Sequence, residues 1–263
     1  MLKYFHLAEN PFSTSPNPRF FYLSDSHRSV LAKLDYVVEF RQGLAATFGD
    51  IGMGKTILAR VVMERLSEQN KVFFVNNPNY KSEMHMCKAL SEEMGIGPKR
   101  SQHLQMTAIK VMLISMYQEG TRPVLILDEA QQLVGPHFEI LREINNFETA
   151  DEKLLQILLF GQMELRNKLR IKKALLSRII VTSTLEPLSP AELEDMIQFR
   201  VRVAGGNENL FPTETINKVY EASRGVPRDA MKICGLSLKL AHLSKIANVT
   251  PEVIELAISE ASR

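Results

Sequence analysis

The stretch Leu44–Thr56 reads LAATF followed by GDIGMGKT, and it decides the fold. Its second part fits the pattern GxxxxGK[ST] from Gly49 to Thr56. Glycines permit positive-φ turns that point successive backbone N–H groups into a concave nest, and a helix N-terminus adds a partial positive charge. The stretch therefore predicts a buried strand, a phosphate-binding loop and a helix, in that order.

The residue types in this loop suit the phosphates of a nucleoside triphosphate. Lys55 is long enough to reach the β- and γ-phosphates, and the Thr56 hydroxyl is a ligand for Mg²⁺. A Gly-rich turn that carries Lys-Thr by chance is the alternative, and the position between a strand and a helix argues against it. We expect the following residues to contact the nucleotide: Gly49, Asp50, Ile51, Gly52, Met53, Gly54, Lys55, Thr56 and Ile57.

Short apolar runs alternate with helical patterns over the first two thirds of the chain. The runs are residues 44–48, 71–75, 123–128, 154–160 and 178–183. The helical patterns between them lie around 55–68, 82–95, 103–118 and 136–147. Right-handed crossovers wind such a repeat into a parallel sheet that is buried on both faces. The sequence thus predicts an α/β fold with a five-stranded parallel sheet flanked by helices.

After Leu188 the strand signals stop and the remaining chain is helical in pattern. Ser189-Pro190-Ala191-Glu192 is a capping box with Pro at the first helical position, and Thr250-Pro251 repeats the Thr-then-Pro start. Glycine and proline breakers between them leave room for about four helices. We expect an α/β nucleotide-binding domain over 1–188, including an extended N-terminal segment, and a small all-helical domain over 189–263.

A second candidate site element lies where the apolar run Val124–Leu127 ends in Asp128 and Glu129. In a parallel sheet, ligands gather at the carboxyl ends of the strands, beside the phosphate-binding loop. Asp128 can hold Mg²⁺ through water, and Glu129 can orient or deprotonate the attacking water. The alternative is a solvated pair that caps the next helix. The acid pair favours hydrolysis of the nucleotide over storage.

Composition excludes several classes of protein. With 32 Lys+Arg against 30 Asp+Glu, a net charge of +2 and 45% hydrophobic residues, the chain is neither disordered nor globally basic. Its two cysteines, Cys87 and Cys234, lie far apart in apolar helical patterns, so a disulfide framework and a zinc cluster are excluded. No apolar run reaches the roughly 20 residues that span a bilayer, and the start does not read as a signal peptide. We expect a reduced, cytoplasmic protein.

The two motifs and their surroundings resemble an AAA+ ATPase of the ExeA/GspA-like family. The resemblance rests on four further stretches: Tyr4–Phe12, Asp128–Gln131, Leu155–Gln162 and Arg224–Arg228. That family includes secretion-associated ATPases and short relatives similar to the TnsC, TniB and MuB type of transposition regulator. The resemblance implies ATP and Mg²⁺ as cofactors, and a helical lid that follows the ATPase sheet.

The same resemblance implies roles for four polar positions. Gln162 resembles sensor 1, although a strand-end amide can also cap a turn. Arg228 resembles sensor 2 on the lid. Either Asn76 or Asn77 resembles the polar switch for the catalytic glutamate, and a turn role for both stays open. Arg178 resembles an arginine finger, which a neighbouring molecule supplies to the transition state, and this implies a ring or helical oligomer. A salt-bridged surface arginine is its alternative.

Two sets of basic residues are candidates for contact with DNA phosphates. The run Arg166–Lys173 holds five cations: Arg166, Lys168, Arg170, Lys172 and Lys173. A helix spreads these cations around its circumference, so a solvated face is the alternative. The second set, on segments that follow predicted strands, is Lys81, Lys99 and Arg100. No aromatic residue interleaves either set, which predicts backbone contacts without base readout.

Two functions from different classes fit these observations. The first is an ATP-dependent oligomer that assembles on double-stranded DNA and regulates or recruits a transposase, together with target-selection proteins. The second is a secretion-linked ATPase that assists assembly of an envelope complex. We favour the first, because this sequence shows neither the membrane helix nor the peptidoglycan-binding module that follow the ATPase in the secretion branch. A small-molecule kinase and a GTPase fit less well, because neither an acceptor domain nor an NKxD-like segment is evident.

Overall fold

A computed structural model describes residues 1–68 and 70–261 of the chain. These residues form two compact units. The sheet unit comprises Ser26–Asp50 and Leu58–Leu185, and the helical unit comprises Met1–Asp25, Ile51–Ile57 and the chain from Glu186 onward. Each unit has its own hydrophobic core.

The sheet unit is built on five parallel strands in the order β2-β3-β4-β1-β5. The strands are β1 Leu44–Phe48, β2 Lys71–Asn76, β3 Pro123–Asp128, β4 Gln156–Gly161 and β5 Ile179–Thr184. All four neighbouring pairs are parallel, so helices return the chain to the same edge of the sheet after each strand. The predicted five-stranded parallel fold is confirmed.

The helices connect these strands and then continue without further strands in the described chain. The first seven are α1 Asp25–Glu39, α2 Lys55–Leu66, α3 Glu83–Glu93, α4 Gln102–Gln118, α5 Gly135–Asn145, α6 Met163–Ile171 and α7 Lys173–Leu176. The last four are α8 Pro190–Val203, α9 Thr213–Ser223, α10 Pro227–Leu243 and α11 Pro251–Ala261. The four C-terminal helices agree with the number expected from the breakers, as counted over the described residues.

Burial explains why the central strands are continuous apolar runs. Every residue of β1, β3 and β4 is buried, whereas each of the two edge strands, β2 and β5, has only one buried residue. Helices cover both faces of a parallel sheet, so a central strand has no solvent side on which to place polar residues.

The first of the four C-terminal helices, α8, starts with the predicted capping box. Ser189 Oγ accepts a hydrogen bond from the backbone N–H of Glu192 at 3.3 Å, and the Glu192 carboxylate accepts one from the backbone N–H of Ser189 at 2.9 Å. Together these bonds satisfy N–H groups that a helix start leaves unpaired. Helix α8 therefore begins at Pro190, as the sequence indicates.

The N-terminal segment lies in the helical unit, and this differs from the predicted domain boundaries. Phe5, Leu7, Phe12 and Phe20 are buried in the same core cluster as the C-terminal helices. The sequence prediction places them in the α/β domain over 1–188, as its extended N-terminal segment. That one unit binds the nucleotide and the other acts as a lid stays a prediction. Residues 262–263 of the predicted helical domain lie outside the described residues.

A buried arginine on α8 holds this segment. Arg200 donates to three backbone carbonyls, those of Pro11 at 2.6 Å, Phe20 at 2.7 Å and Ser13 at 3.2 Å. Its guanidinium also lies 5.3 Å from the centre of the Phe20 ring. Burial lowers the pKa of Arg200 to about 10. The five-donor guanidinium thus satisfies carbonyls of an extended segment that has no sheet partner of its own.

The two cysteines are free and buried, as the sequence predicts. Burial raises the pKa of the Cys87 thiol to about 11 and raises that of Cys234 as well. Both side chains therefore act as apolar packing groups in their respective cores. Among the described helices, none is both long enough and apolar enough to cross a bilayer.

Candidate functional site

Three strands deliver candidate site residues to one edge of the sheet. Strand β4 lies between β1 and β3, so the carboxyl ends of β1 and β3 flank that of β4. Gly49 follows β1, and its N–H donates to the Gly161 carbonyl at the end of β4 at 3.2 Å. Asp128 ends β3. The sheet therefore brings the start of the predicted loop and the acid pair to a common edge.

The phosphate-binding loop has the glycine backbone that its pattern predicts. Gly52 and Gly54 both have φ +87°, in the region that other residues rarely adopt. A Cβ at Gly52 would lie 2.9 Å from Val226 Cγ1 and 3.0 Å from Arg228 Cβ, so the position has no room for a side chain. The loop conformation thus requires glycine for both backbone and packing reasons.

Arg228 lies beside this loop. Its backbone N–H donates to the Gly52 carbonyl at 3.3 Å, and it is the second residue of α10. A cation in the first turn opposes the helix dipole, so this position is unfavourable for an arginine without an anionic partner. The structure brings the predicted sensor 2 residue to the loop, and its role toward the phosphates stays a prediction.

Lys55 is the first residue of α2, and only 5% of its surface is exposed. A helix start presents backbone N–H groups and a partial positive charge, both of which favour an anion bound beside Lys55. Thr56 follows it and is partly buried.

The acid pair has a special backbone. Asp128 is fully buried, and its Oδ1 accepts a hydrogen bond from the Glu129 N–H at 3.0 Å. Glu129 has φ +56°, a left-handed conformation that costs about 1–2 kcal/mol for a residue with a Cβ. Glu129 precedes the 3-10 helix Ala130–Gln132 rather than an α-helix. The chain thus turns sharply at Glu129. Because Asp128 is fully buried and the Glu129 side chain does not cap the following helix, the structure does not support a solvated acid pair that caps a helix.

Two glutamines contact the Glu129 carboxylate. Gln131 Nε2 donates to Glu129 Oε2, and Gln162 Nε2 approaches the same oxygen at 3.5 Å. The backbone N–H of Gln162 donates to Gln131 Oε1 at 3.1 Å. Gln162 precedes α6 without capping it through its side chain. The structure therefore places the predicted sensor 1 residue beside Glu129, although its role stays a prediction.

The two asparagines at the end of β2 are less closely engaged. Asn76 pairs with Asp128 in the strand register, and Asn77 has φ +57° and donates its backbone N–H to the Asp128 carbonyl at 3.2 Å. Within residues 1–68 and 70–261, neither side chain makes a hydrogen bond to Glu129. The choice between Asn76 and Asn77 as a switch stays open.

Arg178 lies at the opposite edge of the sheet. It precedes β5, and Ile179 pairs with Leu44 at the start of β1, whereas Gly49 follows the end of β1. From Leu44 to Gly49 the chain advances five residues at about 3.3 Å each, so the two edges lie about 16 Å apart. Arg178 is therefore remote from its own loop. The pKa of Glu148 lies below its ordinary range because of Lys153 and, to a smaller extent, Arg178.

Two lysines of the basic run Arg166–Lys173 contact other residues of the sheet unit. Lys168 Nζ donates to the Gln131 carbonyl at 2.5 Å and pairs with Glu164 at 2.8 Å. Lys172 Nζ lies 3.8 Å from the Glu139 carboxylate. The exposed cations are Arg166, Arg170 and Lys173 in this run and Lys81, Lys99 and Arg100 in the second set. The DNA candidates with free access to solvent are thus fewer than the sequence suggests.

Sequence reasoning missed two contributors to the site. Gln131 belongs to a stretch that carries the family resemblance but has no predicted role, and Lys168 is predicted only as a candidate for DNA contact or as a solvated cation. No periodic pattern marks Gln131, because it lies in a short turn after a left-handed residue. Its position two residues after Glu129 is the one signal that could have found it.

A family model described as an AAA domain matches residues 38–169, which is half of the chain. The chain is also 32% identical over 264 residues to General secretion pathway protein A of Aeromonas hydrophila. That alignment covers 99% of this chain and 48% of the relative, so the chain spans about half the length of that protein.

Solved structures with the same fold include Cdc6p from Pyrobaculum aerophilum, with a TM-score of 0.72 and 16% identity over 97% of this chain and 72% of that one. The ADP form of the Aeropyrum pernix ORC2 protein has a TM-score of 0.70 at 16% identity, covering 95% of this chain and 72% of that one. Drosophila ORC bound to DNA has a TM-score of 0.72 at 18% identity, covering 96% and 64%. Identities this low speak for the fold alone.

Proposed function

Because the chain belongs to the AAA domain family, we propose that it binds ATP and hydrolyses it to ADP and phosphate. One observation carries the proposal: the loop that leaves β1 and the acids that end β3 share one edge of a single parallel sheet. Phosphate binding alone does not need a second carboxylate. Glu129 supplies that second carboxylate, and it suits activation of water.

The residues present fit a magnesium nucleotide. Thr56 offers a hydroxyl oxygen and Asp128 a carboxylate oxygen, which are the hard ligands that Mg²⁺ prefers. When bound, the ion would neutralise charge on the β- and γ-phosphates. Lys55 and the loop N–H groups would hold the phosphates, Glu129 would orient or deprotonate the attacking water, and Gln162 and Arg228 would sense the γ-phosphate.

Replacing Lys55 with Ala should weaken ATP binding by about 100-fold or more, because the ammonium makes a charge-assisted contact to the phosphates in a site with little water. Fluorescence titration with a labelled ATP analogue measures the affinity. Lys33→Ala, which removes an exposed lysine of α1, is the matched control and should bind like wild type. Equal affinity in wild type and Lys55→Ala would refute nucleotide binding at this loop.

Two roles for the ATPase are proposed, and the relatives favour one of them. The similarity to General secretion pathway protein A supports a role in an envelope secretion complex. The second candidate is a switch that assembles on double-stranded DNA and regulates a transposase. The exposed cations Lys81, Lys99 and Arg100 favour a role on DNA, but nothing in them points to a transposase. Both roles use the same ATPase.

If the second role is correct, duplex DNA should bind in the presence of a slowly hydrolysed ATP analogue, and the affinity should fall steeply with salt. Replacing Lys81, Lys99 and Arg100 together with Gln should lower the slope of log K against log salt by about 3. Binding is measured by fluorescence anisotropy at two salt concentrations, with Lys33→Gln as the control. The absence of ATP-dependent binding at low salt would leave the secretion role.

A further inference from the structure

We propose that Gln131 positions the Glu129 carboxylate for its work on water. The inference rests on the proposed ATP hydrolysis and assigns a positioning residue to that same site. Gln131 is 4% exposed, and its Nε2 donates to Glu129 Oε2. The hydrogen bond thus joins a buried amide to a carboxylate only two residues away in the chain.

The orientation of the Gln131 amide follows from its two partners. Its Nε2 faces the Glu129 carboxylate, which only accepts hydrogen bonds, and its Oε1 accepts from the Gln162 N–H at 3.1 Å. A flipped amide would place oxygen against carboxylate and nitrogen against an N–H donor. The hydrogen bonds therefore admit one orientation of this side chain, with its donor toward Glu129.

Lys168 and Gly161 both help to keep Gln131 in place. Lys168 Nζ donates to the Gln131 backbone carbonyl at 2.5 Å and to that of Leu133 at 3.4 Å. A Cβ at Gly161 would lie 3.1 Å from Gln131 Oε1 and 2.7 Å from Leu165 Cδ2. Gly161, which ends β4, thus leaves room for the Gln131 amide. Lys168 of α6 holds the turn after β3 through the two carbonyls.

The two oxygens of the Glu129 carboxylate therefore have different hydrogen-bond partners. Oε2 accepts from Gln131 and, at a longer distance, from Gln162. Oε1 accepts no hydrogen bond from any of the described residues, so it is the oxygen available to a water proton. Because Oε2 is held on the side of β4, the direction of Oε1 is fixed as well. Orientation of a catalytic group by a neighbouring hydrogen bond is worth a large factor in rate.

The first test is Gln131→Ala in the full chain. We expect kcat for ATP hydrolysis to fall about 10- to 100-fold, with the ATP dissociation constant within about twofold of wild type. Gln132→Ala is the matched control, because Gln132 lies next in the same turn but is exposed. Turnover is measured by phosphate release, and binding by titration with a labelled analogue.

The second test keeps the size of the side chain and adds a pH readout. In Gln131→Glu, the new carboxyl can donate to Glu129 only when protonated, and two adjacent carboxylates share a proton at a raised pKa. We expect the turnover of this variant, relative to wild type, to rise as the pH falls from about 8 to about 6. A ratio that stays the same at every pH would mean that the side chain at position 131 does not act on the Glu129 carboxylate.

Each outcome decides the proposal. A lowered kcat with unchanged binding, together with the pH-dependent ratio, supports it. Unchanged or increased kcat in both variants, or a pH-independent ratio in a folded Gln131→Glu, overturns the positioning role while ATP hydrolysis by wild type stands. A wild type that binds ATP but releases no phosphate overturns both this inference and the proposed function. Circular dichroism of each variant identifies loss of fold, and Gln131→Glu then decides alone if Gln131→Ala does not fold.

Discussion

Glu129→Gln is expected to retain ATP binding and to lose turnover by about 10²–10⁴-fold. The amide cannot accept a proton from water, yet it has the size of the carboxylate and its oxygen can still accept the bond from Gln131 Nε2. The left-handed backbone at Glu129 is unchanged by the substitution, so the turn should persist. Phosphate release and nucleotide titration, run on the same preparation, measure the two quantities.

The matched control is Glu92→Gln, which changes an exposed glutamate of α3 and should hydrolyse ATP like wild type. The prediction also separates Glu129 from Lys55. The lysine variant should fail to bind, whereas the glutamate variant should bind and stall. Turnover in Glu129→Gln within threefold of wild type would show that the acid at the end of β3 is not the group that activates water.

The sequence predicted the sheet and both motifs because they obey local rules. Residues 44–48 and 123–128 are unbroken apolar runs, and only a strand covered on both faces buries every position. The loop between β1 and α2 has glycines at positions where the backbone takes φ +87°. The predicted strand ends agree with the structure to within two residues, because apolar residues mark these strands in the sequence.

The parts that sequence could not predict depend on contacts between distant segments. Arg200 is one charged residue among many in a helical pattern, and nothing local shows that it donates to carbonyls of residues 11–20. The contact between Gln131 and Gln162 joins residues 31 positions apart. In the sequence, Lys168 looks like a surface cation, and only the packing of α6 against the turn after β3 brings its ammonium to the Gln131 carbonyl. Such contacts are set by tertiary packing, which periodicity does not encode.

Arg178→Ala is expected to lower ATP turnover by about 10³-fold or more, while the affinity for ATP stays within a few-fold of wild type. The physical reason is position. Arg178 precedes β5 at the edge of the sheet where β1 begins, about 16 Å from the end of β1 that leads into the loop. A guanidinium there is too far away to reach phosphates bound by its own chain, so an arginine finger at this position would have to act on a nucleotide held by a second copy.

Mixing two inactive variants tests this in trans. Glu129→Gln lacks the base but retains Arg178, and Arg178→Ala lacks the finger but retains Glu129. In a head-to-tail assembly mixed one to one, about a quarter of the interfaces would combine an intact Glu129 with a neighbour's intact Arg178. Turnover should therefore reappear on mixing, and Arg170→Ala, at an exposed arginine of α6, should stay active throughout. Mixtures that remain inactive would mean that the neighbour supplies no arginine, and a fully active Arg178→Ala would leave Arg178 as a surface residue.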